Sequence, residues 1–246
     1  DGGAASLACF VAFVRRFVPY FYDSDAFVTL HVSLLFFRQL LLYHHPDLHN
    51  QLEENGISPV AYATPWFITL FAAKTPLSVL LKLWDKYIVQ GEASFLPFLA
   101  VAMLANEKHA ILSAEKAEVH GVVIRAGVRT ADKLEAVWEA ARALQAQTPR
   151  SFVTRLGRMI EAIKAKRGMS EQSERPWSER VLGRIEKERH FVMVPAEIVA
   201  TIAPAAPGAG SKDSPKFQLL LLDVRAHAEY GAEHLPQALH FHPPCL

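Results

Sequence analysis

Residues 56–88 read GISPVAYATPWFITLFAAKTPLSVLLKLWDKYI, and from Asn55 to Ala73 there is no charged side chain. So long an uncharged stretch has three readings: a membrane span, a buried core or a functional surface. Pro59 and Pro65 each remove a backbone donor, and Asn55, Ser58, Thr64 and Thr69 bring polar groups that lipid does not solvate. The stretch therefore fails as a membrane span. Beyond it, Leu77, Leu80, Leu81, Trp84 and Ile88 recur at i, i+3, i+4, i+7 and i+11, with Lys82, Asp85 and Lys86 between them. That is the spacing of one apolar face of a helix packed on a core.

Composition agrees. At 246 residues, 51% of them hydrophobic, the chain is long enough for one large or two smaller domains with sizeable cores. Its net charge of +1 gives no reason to expect nucleic acid or an acidic substrate. Two cysteines, Cys9 and Cys245, are too few for a disulfide framework and are typical of a reducing compartment. The chain opens at Asp1 and enters an apolar helix at once, so a fragment of a longer protein is expected.

To about residue 168 the pattern is helical throughout. Residues 4–18 form a strongly apolar helix stopped near Pro19, and 25–45 form another behind the capping run Asp23-Ser24-Asp25. Pro46 opens a short helix that Gly56 closes. Thr64-Pro65 and Thr75-Pro76 each read as an N-cap followed by a first-turn proline, giving two helices joined at Lys74, the second ended by Gly91. Further helices are expected near 93–106, 114–125, 131–147 and 150–167. Residues 168–189 are polar and charge-rich, as suits a connector. The pattern then turns mixed, with a strand at 190–194, a helix at 195–202 and a flexible loop. After these comes QLLLLDV at 218–224, an apolar run that reads as a strand buried on both faces of a parallel sheet. Strand, helix, strand in this order indicates an α/β domain.

Two stretches carry a family resemblance. From LLLYHHPDLHN at 40–50 to about Leu104, the chain resembles the second half of a TBC domain, the all-helical domain of Rab GTPase-activating proteins. Tyr43-His44, the Pro46 before Leu48, Tyr62-Ala63, Trp66-Phe67, Leu70-Phe71 and above all Trp84-Asp85 fall in the family's order and spacing. LLDVRAHAEYGAEHLPQALHF at 221–241 resembles the opening of a rhodanese domain, departing at Gln237, where rhodaneses usually have Gly. Together they imply the all-α C-terminal half of a TBC domain over 1–168, a connector over 169–189, and the truncated start of an α/β rhodanese-like domain over 190–246. The pairing implies a non-enzymatic cytoplasmic adaptor, peripheral at the trans-Golgi and endosomal vesicles, that captures endosome-derived vesicles by binding golgins and the WASH complex.

An active TBC domain is expected to offer a Rab-bound nucleotide an arginine and a glutamine, from Asp-x-x-Arg and Tyr-x-Gln motifs. Such an arginine stabilises charge on the transferring phosphoryl group, worth roughly 10³–10⁵ in rate. None of the eight aspartates has Arg three residues on, and none of the six tyrosines has Gln two residues on. The alternative reading, an active Rab GTPase-activating protein, places both fingers upstream of Asp1. A rhodanese thiolate needs converging backbone N–H groups. Cys245 follows Pro243-Pro244, which have none to donate, and reads as an ordinary reduced thiol. His44, His45 and His49 invite a zinc reading, but Pro46 breaks the helix between 45 and 49 and no cysteine or carboxylate ligand pair stands nearby. No catalytic residue, cofactor or metal is expected.

Trp66, Trp84 and Asp85 invite reading as an interaction surface, since aromatics dominate binding hot spots. Trp84 instead shares the stripe of Leu77 and Leu81, which assigns it to the core, and Asp85 is expected to satisfy donors at a helix junction. Asp223 and Arg225 are expected to hold a strand end to the following helix. The remaining feature is RSFVTRLGRMIEAIKAKR at 150–167. Here Phe152, Leu156, Met159, Ile160 and Ile163 form an apolar face, while Arg150, Arg155, Arg158, Lys164, Lys166 and Arg167 stand against one acidic residue, Glu161. Such a helix either closes the domain with a solvated basic face or meets an acidic protein or an anionic membrane surface. Its six basic residues are the candidate partner-binding set, with golgins, WASH or a Rab GTPase as partners.

Overall fold

The computed structural model describes residues 2–17, 27–165, 180, 183, 221–223, 225, 227–235 and 238–240. The chain divides into two compact units, Asp1–Gln145 with Val153–Phe191, and Ala146–Phe152 with Val192–Leu246. The helices run α1 (Gly2–Phe17), α2 (Val28–His44), α3 (Pro46–Glu54), α4 (Pro59–Ile68) and α5 (Leu77–Gln90). After a 3₁₀ turn at Ala93–Phe95 come α6 (Leu96–Ala105), α7 (Lys108–Ser113), α8 (Lys116–Arg125), α9 (Ala131–Gln147) and α10 (Arg150–Ala165). None of the described helices is long and apolar enough to cross a membrane.

The first unit is built around α2. A helix apolar over most of its surface is buried over most of it, and Val32, Phe36, Phe37 and Leu40 are fully shielded from solvent. Helices α3, α4 and α6 pack against it. Phe37 is the meeting point, its ring edge-on to Tyr62 and Phe67 at 6.0 Å and to Trp66 at 6.4 Å. Helix α6, LPFLAVAMLA, buries every residue from Leu96 to Leu104. The described part of α2 begins at Val28 behind Phe27 at φ 46, with no side-chain cap. The expected cap at 23–25 lies outside the described residues.

The uncharged stretch resolves differently from its reading. The cap is Ser58, whose Oγ accepts from the Val60 N–H at 3.3 Å, with Pro59 in the first turn. Thr64 is mid-helix and donates to the Val60 carbonyl at 2.7 Å, so Pro65 lies inside α4. The competing start six residues earlier wins because it already satisfies the orphan donors. Helix α4 then ends in a Schellman turn: the Phe71 N–H reaches the Trp66 carbonyl at 2.8 Å and the Leu70 N–H the Phe67 carbonyl at 3.4 Å. The left-handed position is Leu70, φ 47, where glycine is usual. The same motif closes α3 with a glycine, Gly56 at φ 68.

On α5 the buried residues are Val79, Leu80, Leu83 and Tyr87, while Leu77, Leu81 and Ile88 are about half exposed or more, at 69%, 51% and 50%. This corrects the expected stripe. The helix carries two overlapping apolar faces, and the contacts of Tyr87 select between them: its hydroxyl donates to the Ala93 carbonyl at 3.2 Å and its ring lies 4.8 Å from Phe17. Pro76 is the N-cap residue itself, one position later than expected. Helix α1 runs alongside α5 through Phe13 and Trp84 at 5.7 Å and an Arg16 bond to the Gly91 carbonyl at 2.9 Å. Although apolar, α1 buries only Phe17 and leaves Leu7 and Phe10 63% exposed. Helix α7 was not expected from the sequence.

In the second unit, β1 (Leu222–Asp223), α11 (His227–Ala232) and β2 (Leu239–His240) form a small parallel β–α–β arrangement, with Leu222 opposite Leu239 and Asp223 opposite His240. Leu222 is 52% exposed, so the strand is not buried on both faces; among the described residues the sheet has two strands and covers neither side fully. The expected strand at 190–194, the helix at 195–202 and Cys245 lie outside the described residues.

Candidate functional site

A groove of about 490 Å³ opens where α2, the end of α3 and the start of α4 converge. Its walls are apolar, from Leu34, Leu35, Ile57 and Val60, and its charged element is a pair. Arg38 on α2 donates from Nε to Glu53 Oε1 at 3.0 Å and from the terminal NH2 to Oε2 at 2.8 Å. The side chains are 19% and 41% exposed, so the fork is fixed at the rim of the core. A planar guanidinium held bidentately is more constrained than an ordinary surface ion pair.

Behind it, His49 is buried, its Nε2 3.9 Å from Glu53 Oε1. Burial holds its imidazole below the ordinary range, while the contact with Asn50 and the charge of Glu53 push the other way. Burial also pushes Tyr62 well above the usual phenol range. The cluster is thus one cation and one anion backed by neutral groups. A partner's acidic group could engage Arg38 only in competition with Glu53. This arrangement suits recognition of polar groups beside an apolar contact.

The residues expected from the sequence are dispersed. Trp66 is fully buried, so it belongs to the core. Trp84 is half-buried, and its indole N–H donates to the Leu70 carbonyl at 3.0 Å. Asp85 is exposed. On α10, Phe152 and Leu156 are buried, Arg150 and Arg158 are exposed, and the Arg155 guanidinium lies 5.9 Å above the buried Phe36 ring. That contact makes Arg155 part of the packing as well as of the basic face. The side chain of Lys164, and Lys166 and Arg167, lie outside the described residues. Arg225 binds both oxygens of Asp223, at 2.6 Å for the shortest contact, and donates to the Glu233 carbonyl at 2.7 Å. The hydrogen bonds from Arg225 draw the Asp223 carboxyl down to about 2.

Among the described residues, His44, His45 and His49 do not form a group that could hold a metal ion. His44 is lowered to about 4 by burial and by His45 beside it. His45 is lowered by burial and by Lys108, which bridges to Asp47 at 2.6 Å. Sequence reading missed the groove because Arg38 and Glu53 lie on different helices, and no local period links residues fifteen apart.

Residues 4–112 match the family of the Rab-GTPase-TBC domain. The TBC domain-containing protein kinase-like protein of Homo sapiens is 34% identical over 110 residues, 45% of this chain and 12% of that protein. GTPase-activating protein GYP5 of Saccharomyces cerevisiae is 43% identical over 79 residues, 32% of this chain and 9% of that protein. TBC1 domain family member 4 of Mus musculus is 35% identical over 91 residues, 37% of this chain and 7% of that protein. The chain therefore spans only a small part of the length of the curated relatives it matches.

Proposed function

From the Rab-GTPase-TBC domain at residues 4–112, we propose that the chain serves Rab-dependent membrane traffic as a non-enzymatic adaptor. The observation that carries the Rab-linked part of the reading is the TBC match at residues 4–112. The non-enzymatic part follows the resemblance to TBC domain family member 23 and not the lack of Asp-x-x-Arg or Tyr-x-Gln, motifs that belong to the first half of such a domain. A helical scaffold without these side chains can still hold a Rab surface, since binding and transition-state stabilisation are separable. The finer reading follows the resemblance of residues 221–241 to a rhodanese opening. A TBC domain over 1–168, a connector over 169–189 and a rhodanese-like segment over 190–246 resemble TBC domain family member 23. On that basis the chain acts in the cytoplasm at the trans-Golgi, capturing endosome-derived vesicles through golgins, with the WASH complex as a second partner.

The test is capture. Beads carrying the chain, mixed with endosome-derived vesicles and acidic golgin coiled coils, retain both in low salt and lose them as salt rises, because the contact is steered by charge screened over about 8 Å at physiological ionic strength. Beads that retain neither at any salt contradict the adaptor reading. One observation favours an active Rab GTPase-activating protein: the match to a yeast relative named as a GTPase-activating protein. Its discriminating measurement is GTP hydrolysis.

A further inference from the structure

The geometry points to a divalent metal site in the second unit, formed by His227 and His240 and suited to a borderline ion such as Zn²⁺. The two residues are thirteen apart in sequence, one at the start of α11 and one on β2, and their Nδ1 atoms lie 3.5 Å apart. Two imidazole nitrogens on a tetrahedral zinc, each bonded at about 2.0–2.1 Å, are separated by about 3.4 Å. The pair already has the spacing of one edge of that tetrahedron.

The tautomer is also set. His240 Nε2 lies 3.0 Å from the Arg225 carbonyl. A carbonyl only accepts, so Nε2 carries the proton and Nδ1 presents its lone pair towards His227. An imidazole anchored through its other nitrogen to a backbone carbonyl is the usual support of a metal-binding histidine. The ring is further held by stacking on Tyr230 at 4.7 Å, and Tyr230 is fixed in turn by its hydroxyl bond to the Ala238 carbonyl at 2.9 Å. Without metal, the His227 Nδ1–H donates to His240 Nδ1. On binding, that proton moves to His227 Nε2 and both Nδ1 lone pairs go to the ion, so no net proton is lost from the neutral pair.

Among the described residues no group of three His, Cys, Asp or Glu converges, so water fills the remaining positions and the affinity is below that of a four-ligand structural site. The clip has a structural use. Among the described residues from 221 to 240 only Ala238 is buried, and Leu222, Leu235 and Leu239 are about half exposed. A β–α–β segment whose described residues bury so little apolar surface is the kind that metals staple. Imidazole ligands select Zn²⁺, Ni²⁺ or Cu²⁺ over Mg²⁺.

The test is calorimetric titration of the full chain with Zn²⁺, with Mg²⁺ as the control ion. Wild type is expected to bind about one zinc that both His227→Gln and His240→Gln weaken at least about tenfold, while Mg²⁺ gives no signal. His234→Gln leaves that binding intact, because among the described residues no third His, Cys, Asp or Glu, His234 included, converges on the His227–His240 pair. A second readout needs no variant: in the wild-type chain, Zn²⁺ shifts the imidazole proton resonances of His227 and His240 and leaves those of His234 in place. Zinc binding equal in wild type and both variants, or unmoved His227 and His240 resonances at saturating zinc, overturns the proposal.

Discussion

Leu70 sits at φ 47 with its side chain buried, a conformation that costs a residue with a Cβ on the order of 1 kcal/mol. What fixes it is the indole of Trp84, fourteen residues on, which donates to the Leu70 carbonyl at 3.0 Å. Trp84→Phe keeps most of the packing and loses that bond, so it should cost about 1 kcal/mol. Trp66→Ala empties a fully shielded site and should cost on the order of 3–5 kcal/mol. Urea midpoints at unchanged m-value measure both, and an equal loss in the two would place Trp84 in the core after all. His44 gives a pH prediction. Its folded value of about 4 lies below the ordinary 6.5, so the unfolded chain binds the extra proton. Stability is therefore full above about 6.5 and falls as pH drops towards about 4. His44→Gln should flatten that part of the profile, whereas an unchanged slope would assign it to other groups. Gly56 was legible as a helix stop because glycine is the common occupant of a left-handed position. Leu70 was not, since its strain is held by a distant tryptophan.

Helix α5 shows why periodicity alone misplaced a face. Its residues satisfy the apolar repeat on two adjoining stripes, and only the neighbours Phe17 and Ala93 decide that Tyr87 turns inward and Ile88 outward. Helix α6 was easier, because a helix with no polar face has one fate. Helix α9 was read at its observed bounds, and α7, six residues with a single buried side chain, Ile111, was too short to show a period. On α10 the amphipathic pattern was plain, but the division of labour among its arginines was not. Arg158→Glu should leave the helical circular-dichroism signal and the melting temperature unchanged while reducing golgin or vesicle capture. Arg155→Glu should also lower the melting temperature, because its guanidinium covers the Phe36 ring. Equal melting temperatures would return Arg155 to the solvated face, and full capture by the Arg158 variant would move the binding surface off this helix.

For the molecule as a whole, the helical first unit and its TBC domain could be read because Trp66-Phe67 and Trp84-Asp85 occur at family spacing inside a long apolar run. The Arg38–Glu53 groove could not, since it exists only once α2 and α3 are side by side. The central claim is that this scaffold binds without catalysing. It is tested most directly by single-turnover phosphate release from a panel of GTP-loaded Rab GTPases, with the chain in saturating excess. The account predicts hydrolysis at the intrinsic rate of each Rab, including any Rab that the chain demonstrably binds. Acceleration of even about 100-fold, abolished by replacing a single arginine of this chain, would contradict it, since an inserted arginine contributes roughly 10³–10⁵.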